Sequence, residues 1–104
     1  MKRYPFRRRD DLICMQALLL ATRPTENLST FPTAHDLAHL LEQPSIRSNT
    51  ALWWSGNTLA AYALLIDGEV HTDALPEEKA KLRAELESWR KALGSKPQRV
   101  LEVA

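Results

Sequence analysis

The spacing of hydrophobic positions changes repeatedly along this chain, and each change marks a predicted element. Lys2 to Arg7 alternates, with Tyr4 and Phe6 on one side, which predicts a short strand. Pro5 in its middle lacks an N–H and assigns that strand to a sheet edge or a bulge. Leu12, Met15 and Leu19, with Ile13, Ala17 and Leu20 beside them, then step at helical spacing. These two adjacent rows predict a helix with a broad apolar face, capped by Asp10 or Asp11. It ends near Thr22, because Pro24 disfavours helical geometry at Arg23. Residues 23 to 32 are predicted as a polar loop.

A second helix begins at Thr33. That residue stands three positions before Asp36, the spacing of a capping box in which two side chains satisfy each other's backbone donors. Leu37, Leu40 and Leu41 form its buried stripe, and Pro44 stops it. Asn49 to Ser55 and Thr58 to Ile66 then read as strands joined by Gly56-Asn57, a hairpin signal because glycine supplies the positive φ of primed turns. Asp67-Gly68 is a second such link, leading into Glu69 to Thr72 as the third strand of an antiparallel meander. Leu75, Lys79, Leu82, Leu86, Trp89 and Leu93 recur every three or four residues and predict the last helix. Pro76, Glu77 and Glu78 suit its first turn, and Gly94 suits its C′ position. Gln98 to Val103 is predicted as a short closing strand.

Composition adds bounds to this picture. The 104 residues, 44% apolar and 26% charged, suit a single domain spanning 1–104 with one hydrophobic core. The longest apolar run, Leu59 to Ile66, is too short for a membrane span. Met1-Lys2-Arg3 leads into more arginine and does not resemble a signal peptide. Cys14 is the only cysteine, so no intrachain disulfide forms, and a cytoplasmic protein is expected. Net charge is +1, yet Lys2, Arg3, Arg7, Arg8 and Arg9 alone carry +5, leaving −4 elsewhere. Without interleaved aromatics or a binding motif, a solvated strand end is preferred over a nucleic-acid contact.

The predicted order, β-α-α-β-β-β-α-β, resembles the N-terminal and central part of the GNAT superfamily of N-acetyltransferases. Arg8 to Leu12 resembles the opening "R-x-x-D-D-L" of members whose first helix is capped by aspartate. Phe31-Pro32-Thr33 with Asp36-Leu37 resembles their "Y-P-T-x-x-D-L". Leu52-Trp53 and Leu59 to Leu65 resemble their "L-W-x-x-x-G-x-x-V-G-F-A" hairpin. The resemblance implies an α/β (α+β) fold with a mostly antiparallel sheet flanked by helices. It also implies acetyl-CoA as cofactor.

Two departures set the functional expectation. Members hold the acetyl-CoA pyrophosphate on a turn such as Q/R-x-x-G-x-G/A at the start of the third helix, where free N–H groups face the phosphates. Here that position reads Asp73-Ala74-Leu75-Pro76-Glu77-Glu78-Lys79, with no glycine, one proline and three carboxylates. Acetyl-CoA binding is therefore expected to be weak or absent. Members also continue past the fifth strand with another helix and two strands, often supplying a tyrosine as general acid, whereas this chain stops at Ala104. A truncated domain is expected, pairing as a homodimer or with another chain through its C-terminal strand.

Candidate chemistry is sparse. Glu69 and His71 flank Val70 and share one side of the third meander strand. By resemblance Glu69 is the candidate catalytic base, against an exposed cross-strand pair as the preferred reading. His35 and His39 are spaced i, i+4, but no glutamate follows His35 and no third ligand is evident, so no metal site is expected. Cys14 is expected to be a buried structural thiol. Trp53 and Trp54 must take opposite faces, one in the core and the other open to a partner or ligand. Three functions compete: an N-acetyltransferase domain or half-domain, a non-catalytic association or ligand-binding protein on the same scaffold, and a small α/β protein contacting nucleic acid.

Overall fold

Alternation, helical spacing and turn chemistry yield a chain of short strands and helices. In the computed structural model, which describes residues 1–23, 31–93 and the backbone of 99–102, the elements are β1 (Lys2–Pro5), α1 (Arg9–Thr22), α2 (Ala34–Leu40), α3 (Pro44–Arg47), β2 (Ala51–Ser55), β3 (Thr58–Ile66), β4 (Glu69–Ala74), a 3₁₀ turn (Pro76–Glu78), α4 (Lys79–Leu93) and β5 (Arg99–Glu102). The result is a mixed α/β domain in which β1 to β4 form an antiparallel sheet flanked by helices. β5 adds to β4 in parallel. β1 lies at one edge, where Pro5 costs no ladder bond on the open side. No helix among the described residues is long and apolar enough to cross a membrane. Gly94, and with it the expected C′ cap, lies outside the described residues.

Both hairpin turns work through positive φ. Gly56 has φ +62° and links Ser55 to its partner Thr58. Asp67 and Gly68 have φ +50° and +78°, the pair of positive values that a type I′ turn requires, and they set Ile66 opposite Glu69. A register shift beside Trp53 and Trp54 places Leu59 opposite Trp54, so both side chains meet the same face.

That face packs under α1, α2 and α3. Met15, Leu18, Leu19, Leu37, Leu40, Leu41 and Ile46 cover Leu52, Leu59, Tyr62, Leu64 and Ile66. The opposite face is floored by Ala51, Ala61, Ala63 and Ala74, small residues that leave room for the large side chains of α4. Leu82, Leu86 and Trp89 fill this space, and Trp89 meets the buried Trp53 edge-on with centroids 6.1 Å apart.

Four expectations are corrected. The helix α1 starts at an Arg8 N-cap, and Asp11 instead reaches back from its first turn to accept from the backbone N–H groups of Arg7 and Arg8 at 2.9 and 3.3 Å. Only one of its two apolar rows is buried: Ile13 is 55% and Leu20 54% exposed, because the sheet and α2 contact the Met15–Leu18–Leu19 side. Trp54 is covered in part, packing half-buried against the α1 core while its remaining surface lines a groove with Tyr4, Arg7 and Arg8. Pro44 ends α2 but also opens the one-turn helix α3, where its missing N–H is harmless at N1.

Candidate functional site

Strand alternation sends Glu69, His71 and Asp73 to the side of β4 that faces α1, with Ile66, Leu64 and Tyr62 as their cross-strand partners. The C-terminal end of α1 descends onto this row. The Thr22 hydroxyl donates to Asp73 Oδ2 at 2.5 Å, and the backbone N–H of Ala74 donates to Oδ1 at 3.0 Å. Arg23 leaves the helix in extended conformation, and its guanidinium folds inward to donate from Nη1 to the Pro32 carbonyl at 3.3 Å. Its Nε lies 4.0 Å from Asp73 Oδ2, both side chains being buried. The α1–α2 connection is thus tied to β4 by an interior ion pair.

Electrostatics in this cluster follow from burial. Desolvation pushes the Asp73 carboxyl above its ordinary value, against the opposing pull of the Thr22 hydrogen bond and the Arg23 charge. Burial also holds the His71 imidazole below its ordinary value; Glu69 pulls it up and Arg23 pushes it further down. The phenol of Tyr62 is pushed well up by burial and by Asp73. Among the described residues, the Tyr62 hydroxyl and Arg23 Nε are buried without a hydrogen-bond partner.

Glu69 and His71 do come together, with Oε2 and Nε2 3.7 Å apart. The expected exposed pair is corrected in half: His71 is buried, its ring covered edge-on by Phe31 at 5.5 Å, while Glu69 keeps partial access to solvent. Of the two, Glu69 is the one that solvent reaches, and His71 is shielded. The remaining members of the cluster, Thr22, Arg23, Tyr62 and Asp73, escaped the sequence reading. The predicted third strand stopped at Thr72, and only its extension to Ala74 puts the charge of Asp73 inside β4.

The entry to α4 decides how phosphate would be received. Ala74 N–H is taken by Asp73, Leu75 N–H by the Ala60 carbonyl at 2.9 Å, and Glu78 N–H by the Leu75 carbonyl at 2.9 Å. Pro76 has none. The Asp73 carboxylate, counted above as repelling phosphate at this turn, points into the sheet instead. Glu77 is exposed and Glu78 faces Lys81 at 3.7 Å.

Elsewhere, Cys14 is half-buried rather than fully buried, and with Tyr4, Arg7, Arg8 and Trp54 it lines a groove of 380 Å³ between β1, α1 and the β2–β3 hairpin. His35 and His39 lie on the exposed side of α2. Among the described residues, no group of three or more histidines, cysteines or carboxylates is arranged to hold a metal ion. No family model, curated protein or solved structure matches the chain.

Proposed function

We propose that this chain is a GNAT-like domain that works by association or ligand binding, without acyl-CoA chemistry of its own. The observation that carries this reading is the occupied turn before α4: the N–H groups of Ala74, Leu75 and Glu78 are already engaged and Pro76 has none to offer. A pyrophosphate there would meet Glu77 and Glu78 and find few N–H groups to replace its water. The scaffold half of the proposal draws support from the element order β-α-α-β-β-β-α-β, to which a one-turn helix is added before β2. The capping box at Thr33 and the hairpin after Trp53 also agree with it.

A second reading, an N-acetyltransferase domain completed by a partner, draws on Glu69. This carboxylate is partly accessible beside an imidazole, which suits a general base. Calorimetry with acetyl-CoA separates the two. The expected result is no heat of binding, and no acetylation of a generic amine. Micromolar binding, or amine acetylation abolished by Glu69→Gln, restores the enzyme.

A further inference from the structure

Helix α2 carries a pair of histidines that neither the core nor the site on β4 uses. His35 and His39 stand one turn apart and both are exposed. Their rings meet edge to face with centroids 4.7 Å apart, and the two Nε2 atoms converge to 3.2 Å. Convergence of those particular atoms is what matters, because i, i+4 spacing alone permits many other orientations.

We propose that His35 and His39 form a two-ligand chelate for a borderline divalent cation, Zn²⁺ foremost. Two imidazole nitrogens bound to one zinc at about 2.0–2.1 Å, at a near-tetrahedral angle, lie roughly 3.3–3.4 Å apart. The 3.2 Å found here is close to that value. A right angle at the same bond length would bring them to about 2.9 Å, so the pair suits tetrahedral zinc better than a square-planar ion. Imidazole nitrogen is also a donor that zinc accepts and magnesium does not prefer.

The backbone under the pair is held on both sides. Thr33 and Asp36 close the capping box, with Asp36 Oδ2 accepting the Thr33 N–H at 2.9 Å and Thr33 Oγ1 accepting the Asp36 N–H at 3.2 Å. Gln16 Nε2 on α1 donates to the Ala34 carbonyl at 2.9 Å, fixing the first turn of α2 against its neighbour. The two rings are thus presented on a backbone already ordered, and the ion need not organise it. Among the described residues no third protein ligand joins them, so the remaining coordination positions take water. Both rings bind in the Nδ1–H tautomer, each giving its Nε2 lone pair to the metal. In the metal-free pair one ring instead donates Nε2–H to the other.

The test is calorimetric titration of the tag-free chain with zinc chloride, with magnesium chloride as the comparison ion. The expected outcome is one Zn²⁺ per chain, no Mg²⁺ uptake, and a rise in thermal midpoint with Zn²⁺. Losing a mere supporting contact to a ligand weakens metal sites about 10–100-fold, so His35→Ala and His39→Ala should each weaken binding at least about tenfold. His39→Gln repeats the test with a polar side chain closer in size to histidine should an alanine variant fold poorly. No zinc uptake at millimolar concentration reduces the pair to a hydrogen-bonded contact and overturns the proposal. Unchanged uptake in the double variant His35→Ala/His39→Ala places the zinc elsewhere and overturns it equally.

Discussion

Thr22 Oγ1 and Asp73 Oδ2 lie 2.5 Å apart, joining the last turn of α1 to β4 across 51 positions of sequence. The contact matters because Asp73 is buried with Arg23, and a buried carboxylate survives only with partners that replace water. Thr22, Arg23 and the Ala74 N–H supply them together. The α1 terminus is therefore fixed to the sheet by polar interactions beneath a largely aliphatic layer.

Asp73→Ala should be severely destabilising. It leaves the Arg23 guanidinium buried beside no carboxylate, a change on the order of 3–5 kcal/mol for interior ion pairs. Urea denaturation measures it. A loss under about 1 kcal/mol, the range of exposed pairs, would mean that water reaches this pair in solution.

Stability should fall as pH is lowered below about 6.5, the ordinary histidine value. Burial depresses the folded His71 value, so the unfolded chain takes up the proton first. His71 therefore contributes stability that is complete above the unfolded value and lost as pH drops toward the folded one. The groups facing it are Glu69 on its own strand, Arg23 from the end of α1 and the Phe31 ring. Asp73 has the opposite sign: its folded value is raised, so its contribution is greatest in acid and lost as pH rises through that value. Comparing urea midpoints of the native chain and His71→Asn between about pH 7.5 and pH 5 isolates the histidine. Parallel curves would count against it.

Thr33→Ala should cost about 0.5–2 kcal/mol by leaving the Asp36 N–H without its partner. The Thr33 N–H holds the Asp36 carboxyl below its ordinary value, so that half of the box contributes stability above about pH 4 and is lost in stronger acid. An unchanged urea midpoint at neutral pH for Thr33→Ala would show that solvent replaces the cap without loss.

The chain should self-associate through β5. This strand pairs with β4 on one side and ends the described sheet on the other, offering a row of backbone donors and acceptors. Light scattering at micromolar concentration should show a dimer, and Leu101→Pro should dissociate it because proline cannot donate to a ladder. A monomer at every concentration rejects this interface.

Local chemistry was legible without coordinates. The Thr33–Asp36 box closes within four residues, the Asp67-Gly68 turn needs only its own two φ angles, and β3 spans Thr58–Ile66, the apolar run between two turn signals. Interactions of this range depend on neighbours in sequence, so the residues themselves determine them. The destination of each face was decided by tertiary packing. Ile13 and Leu20 match Met15 and Leu19 in hydrophobicity, yet only the latter pair lies under the sheet and α2. How far Trp54 was covered depended on helices standing on both faces of the sheet. Asp73 looked like a surface carboxylate at a helix entry, and Arg23 like loop polarity, until the fold brought them together under α1. A side chain's partner 50 residues away is set by which surfaces the helices exclude from water, and no spacing along the chain encodes that distance.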